Sequence, residues 1–203
     1  MFRVFLLILV SLALAETGAF AYRQPPTLEE MAYLDQQVAA QPTNSRPLQM
    51  RGLNYAVLGQ KDKALADFKE AQKLSPNQIR LYWTLGWALF NLDDYPAAVN
   101  VWEHAAALAV KRRTQGTDPV LADPDDLTDE SWIPSTLALG YWAEGDQAKA
   151  FDYFNMVAKV NYRYRDHDLF AQTTNGWTEK EQTMGMLLFD AWKRTVDKPS
   201  SHL

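Results

Sequence analysis

An all-α chain of stacked helix pairs is the fold class this sequence predicts, and three observations predict it. Residues recur at a spacing of 34 in the middle of the chain: Gly52 and Gly86, Ala64 and Ala98, Phe68 and Trp102, Ala71 and Ala105. Within each recurrence the apolar residues follow the helical period, and Gly59 and Pro76 interrupt them. Near the two ends, Thr27 with Glu30 and Thr178 with Glu181 each spell a capping box ahead of an apolar stripe.

Residues 1–21 come first. Arg3 precedes an apolar run from Val4 to Ala15, and small residues then lead to Ala19-Phe20-Ala21. That order predicts a secretory leader cleaved after Ala21, with Ala13-Leu14-Ala15 as a second cleavage site. The apolar run of 12 residues ends at Glu16, short of the roughly 20 that a membrane span needs. The mature chain is therefore expected in a bacterial periplasm or outside the cell, without membrane association.

Residues 22–44 read as a capping helix with a stripe of Met31, Leu34 and Val38. Residues 45–112 hold two repeat units. In the first, Leu48, Gly52 and Tyr55 share a face, Gly59 ends the helix, and Ala64, Phe68 and Ala71 stripe the next one. Small residues at the crossing let the two axes approach, and the aromatic fills the space beside them. Residues 113–130 form a polar insertion with two prolines, read as a long loop. Residues 131–160 make a degenerate third unit: Leu139, Tyr141, Gly145, Ala150 and Phe154 align with Leu53, Tyr55, Gly59, Ala64 and Phe68. Residues 161–203 run through an aperiodic stretch into a second capping helix. One pair cannot cover its own apolar faces, so neighbours must stack.

This pattern resembles the tetratricopeptide repeat family, whose signature runs W-x2-L-G-x2-Y, A-x3-F, P. Gly52, Tyr55, Ala64, Phe68, Ala71 and Pro76 match in the first unit. Tyr82, Leu85, Gly86, Leu89, Ala98, Trp102 and Ala105 match in the second, where Val110 replaces the closing proline. In the third, Ala138 takes the place of the small glycine. The resemblance covers about half of the mature chain. It implies a right-handed superhelix whose concave side is lined by the first helix of each pair.

On the helix from residue 80 to 92, Tyr82, Leu85, Gly86 and Leu89 form the stripe that packs within the unit. Trp83, Trp87 and Phe90 form a second stripe, rotated by about 100°. The resemblance turns that second stripe toward the concave side, together with Leu53, Ala56, Trp132, Leu139 and Trp142. Two readings of this aromatic trough stand open. It is filled by the chain itself, through the C-terminal helix, the 111–130 loop or the 161–176 segment. Otherwise it receives a peptide or partner helix on Trp83, Trp87, Phe90, Leu53, Trp132 and Trp142, with Gln49 and Asn91 meeting the partner's backbone.

Composition narrows the chemistry. Loss of the leader removes Arg3 and Glu16 and leaves the net charge at −5, a poor match to nucleic acid, which calls for a basic patch. The absence of cysteine excludes disulfides, thiol catalysis and thiolate metal sites. Asp166-His167-Asp168 lacks a spaced second histidine for a tetrahedral site. The acids Asp123, Asp125, Asp126, Asp129 and Glu130 lack the calcium-loop order of alternating acids about a glycine. Among 24 acidic residues of the mature chain no catalytic pair is singled out. No catalytic residue, metal or cofactor is expected. The function expected is a non-catalytic interaction module of the cell envelope, binding a protein or peptide through the trough. The alternative is an inhibitor or immunity-type partner of an exported toxin or enzyme that binds through the acidic 111–130 loop; an enzyme is the third, least favoured reading.

Overall fold

Left-handed backbone marks the turn inside each helix pair: Gly59 (φ 70°), Asp93 (φ 62°) and Gly145 (φ 87°). All three turns close with the same two bonds. Gly59 N, Asp93 N and Gly145 N donate to the carbonyls of Ala56, Phe90 and Trp142, and the next residue's N donates to Tyr55, Leu89 and Tyr141 at 2.8–3.0 Å. This is the Schellman arrangement, which satisfies carbonyls that a helix end leaves bare. Asp93 thus takes, one repeat later, the position Gly59 holds in the first unit.

The computed structural model describes residues 23–114 and 132–197. The helices, in chain order, are α1 (Leu28–Ala40), α2 (Ser45–Val57), α3 (Lys61–Leu74), α4 (Ile79–Asn91), α5 (Tyr95–Thr114), α6 (Trp132–Glu144), α7 (Gln147–Val160), α8 (His167–Thr173) and α9 (Glu179–Val196). A 3-10 turn, Tyr162–Arg165, joins α7 to α8. No strand occurs among the described residues. The chain is thus an all-α stack of hairpins: α2 with α3, α4 with α5, α6 with α7. The leader expected at residues 1–21 and the 115–130 part of the expected insertion lie outside the described residues.

The small residues stand where helices touch. A Cβ on Gly52 would lie 2.9 Å from the Phe68 ring, and one on Gly86 only 2.1 Å from Trp102 Nε1. The same indole reaches the next pair, where a Cβ on Gly140 would meet Trp102 Cζ3 at 3.0 Å and Val99 Cγ2 at 2.7 Å. Trp102 Nε1 donates to Trp83 O at 3.0 Å. One fully buried side chain therefore binds α5 to α4 and to α6.

The ends are held differently. None of the α1 residues is buried. Arg51 reaches it from α2: the guanidinium forks onto both Asp67 oxygens at 2.7 and 2.8 Å and extends to Asp35 of α1 at 2.8 Å. The Asp67 bond, more than any other contact, raises the pKa of Arg51 further above its ordinary value. At the other end, the aperiodic stretch after α7 proves ordered. Asn161 Oδ1 accepts from Arg163 N at 3.1 Å, Asp166 Oδ1 accepts from Leu169 N at 2.9 Å, and Tyr164 and Phe170 pack on Phe154. Asp166 is therefore a helix cap. Among the described residues no three His, Cys, Asp or Glu converge as a metal would require, and no helix is long and apolar enough to cross a membrane.

Replacing Gly86 by alanine should force the Trp102 indole out of its seat and cost about 1–3 kcal/mol by overpacking. Thermal denaturation checks this; an unchanged melting temperature would contradict the close approach.

Candidate functional site

The second stripe of α4 carries Trp83, Trp87 and Phe90, and the chain's own C-terminal end packs on Trp87 and on the helix end at Phe90. Trp87 is 7% exposed. Its ring meets Trp102 and Trp177, both at 5.2 Å between centroids, and also Phe90 and Trp83. Trp177 stands just before α9, and a Cβ on Gly185 would approach its ring to 3.1 Å. The indole is thus clasped between α4 and the second turn of α9.

Polar groups lock this cover. Both capping boxes form. At α9 the Glu181 carboxylate accepts from Thr178 N at 2.7 Å and from Asn91 Nδ2 at 2.6 Å. Asn91 Oδ1 accepts from the Thr178 hydroxyl at 3.3 Å. Lys180 Nζ donates to the carbonyls of Phe90 and Asn91 at 3.2 and 3.3 Å and pairs with Asp93. A cation at the C-terminal end of α4 answers both its bare carbonyls and its dipole. The Lys180 bond, and then the Tyr95 hydroxyl, hold the Asp93 pKa below the usual carboxylate range. Burial, with the bond to Asp93, pushes Tyr95 up to about 12. The N-terminal arm joins in: Arg23 N donates to Trp177 O at 2.8 Å, and its guanidinium donates to Asn54 Oδ1 on α2.

The residues expected to meet a partner are therefore placed as follows. Trp83 and Phe90 pack on Trp87, Trp177 sits on Trp87, and Glu181 accepts from Asn91; Phe90 is fully buried and Trp83 half-buried. Leu53 is buried in the same core. Trp142 turns toward α7 and stacks on Phe151 at 6.1 Å, half-buried against the common core. Gln49 is sealed where α2 meets the α3–α4 link: its amide nitrogen donates to Gln78 Oε1 at 2.7 Å and to Ser45 Oγ at 3.1 Å. Neither Gln49 nor Asn91 faces outward as expected: each donates to groups of its own chain, although the buried Gln49 Oε1 is left without a hydrogen-bond partner among the described residues. The side chain of Trp132 lies outside the described residues. Trp177 is the residue the sequence reading passed over; a tryptophan immediately before a capping box was its visible mark.

Open concavities lie elsewhere. A groove of about 580 Å³ runs between α1 and α2, lined by Arg23, Tyr33, Leu34, Met50 and Asn54, with Glu29 and Glu30 on its rim. Tyr33 is 59% exposed and Leu28 91%.

Stacked hairpins with matching turns, carrying a self-covered aromatic face and an open terminal groove, define a helical-repeat protein. The family model of the tetratricopeptide repeat matches residues 45–78. Among solved structures, the MamA RS-1 ArsTM double mutant aligns over 84% of this chain and 87% of that one, at 17% identity and a TM-score of 0.49. A crystal structure of MamA protein aligns over 86% of each chain at 19% identity and a TM-score of 0.48. No curated protein matches the chain.

Substituting Trp177 by alanine should uncover Trp87 and cost about 1–3 kcal/mol. Red-shifted indole emission with stronger acrylamide quenching, in a protein that keeps its helical circular dichroism, is the expected readout.

Proposed function

We propose that this chain is a non-catalytic scaffold of the bacterial cell envelope that binds a protein or peptide partner. The repeat at residues 45–78 supports the first part, since tetratricopeptide repeats bind protein partners. The leader-like order of Arg3, apolar run and Ala19-Phe20-Ala21 supports the second. The trough residues Trp87 and Phe90 are spoken for by the chain's own α9, so the partner meets the groove between α1 and α2.

One observation carries that placement. The helix α1 buries none of its residues, yet beside it lies an open, mainly apolar concavity of about 580 Å³. The exposed Tyr33, with the half-buried Leu34 and Met50 beside it, leaves apolar surface at this concavity, as interaction surfaces do. Tyr33, Leu34 and Met50 supply the apolar contact, and Glu29 favours a basic residue beside the partner's apolar anchor.

Affinity capture from envelope extract, compared across variants, tests this. Leu34→Glu should deplete the captured partner at least tenfold, while Trp83→Ala leaves it bound. Depletion by Trp83→Ala alone would move the site back to the aromatic trough. Capture insensitive to both would overturn the reading.

A further inference from the structure

At the far end of the stack, the last turns of α7 and α9 and the 3-10 turn between α7 and α8 border an open concavity of about 440 Å³. It is lined by Asn155, Ala158, Lys159, Arg165, Trp192, Lys193 and Val196. Three of these seven carry positive charge and none carries negative charge, in a chain whose net charge is −5. The geometry points to a docking site for an acidic peptide segment of a partner protein, one apolar side chain entering the pocket and flanking carboxylates meeting Lys159, Arg165 and Lys193.

The wall of the pocket is apolar and built in place. Trp192 is buried, its ring packs on Phe154 at 4.8 Å, and its Nε1 donates to Asn155 Oδ1 at 2.8 Å. Ala158 and the half-exposed Val196 complete the apolar contact. Arg165 is fixed across the end of α7, where its guanidinium donates to the carbonyls of Ala158 and, at 2.8 Å, Lys159. Those partners are neutral, so its charge is not cancelled by an acid. Lys159 has no acidic partner among the described residues, and Lys193 has only the exposed Asp197 at 3.1 Å. An exposed pair of that kind is weak and yields readily to a competing carboxylate. Acidic surface elsewhere repels an acidic ligand, so the field of the chain directs such a ligand here.

The volume separates this surface from a simple basic patch. An open concavity of this size admits an apolar side chain, and the cations around it favour acidic neighbours. Met156, Val160 and Tyr162, on the same α7 and 3-10 turn, are also exposed. This surface is separate from the groove at α1, and the two can be tested independently.

The test is fluorescence anisotropy on the purified protein with a labelled ten-residue peptide of Asp and Glu around a central Leu. A matched peptide with Lys in place of the acids serves as control. The acidic peptide should bind, the basic one should not, and binding should weaken at least tenfold between low and high salt. Lys159→Glu with Lys193→Glu should weaken binding at least tenfold while leaving the melting temperature near that of the parent. Lys159→Gln with Lys193→Gln should fall between, and Leu34→Glu should leave it unchanged. Failure of the acidic peptide to bind, or equal binding by the double glutamate variant, would overturn the proposal. So would lysine-dependent binding of phosphatidylglycerol vesicles without peptide binding, which would make the surface a lipid contact.

Discussion

The Trp102 indole, held between two glycines on two different helices, is the contact on which the stack depends. Gly86 and Gly140 lack the side chains that would collide with it, so α4 and α6 both close onto one ring. Its Nε1 bond to Trp83 O gives the buried nitrogen a partner and sets the ring's orientation. Interiors packed to crystal density do not absorb an added methyl without displacement. The second and third hairpins are thereby fixed relative to one another, and everything on the α4 face follows from that placement.

One consequence is that Trp87 and Phe90, in the middle of the face which resembles a binding trough, become part of the core. With α4 and α6 fixed by Trp102, α9 lies across α6 and brings Trp177 onto Trp87. The polar contacts at its first turn are specific: Asn91 is both donor and acceptor to the capping box, and Lys180 closes the end of α4. Large aromatics left in water would favour association, and the chain removes them by folding its own end over them. What stays open lies at the two ends of the array, a groove with acidic rim at α1 and a basic pocket between α7 and α9.

Much of the fold was legible in the primary structure because it is periodic. The 34-residue spacing marks each close approach within a pair, and the aromatic opposite it: Gly52 with Phe68, Gly86 with Trp102. The turn at Asp93 hid because aspartate replaces the expected glycine, although it stands one repeat after Gly59. Gly140 hid as well, since its contact is with the preceding hairpin and has no counterpart in the family signature. The stretch 161–176 looked irregular because a four-residue 3-10 turn and a seven-residue helix are too short to show a period.

By itself the amino-acid order determined the helices, their pairing and their stacking, since these rest on local propensity and on contacts repeated at a constant interval. It also marked Trp83, Trp87 and Phe90 as one stripe. Whether that stripe faced a partner or the chain's own tail was decided only in three dimensions. The deciding contacts join residues about 90 positions apart, such as Asn91 with Glu181, and they belong to no repeat. A contact made once in a chain leaves no period to read, and its energy becomes visible only when the helices that carry it have been brought together.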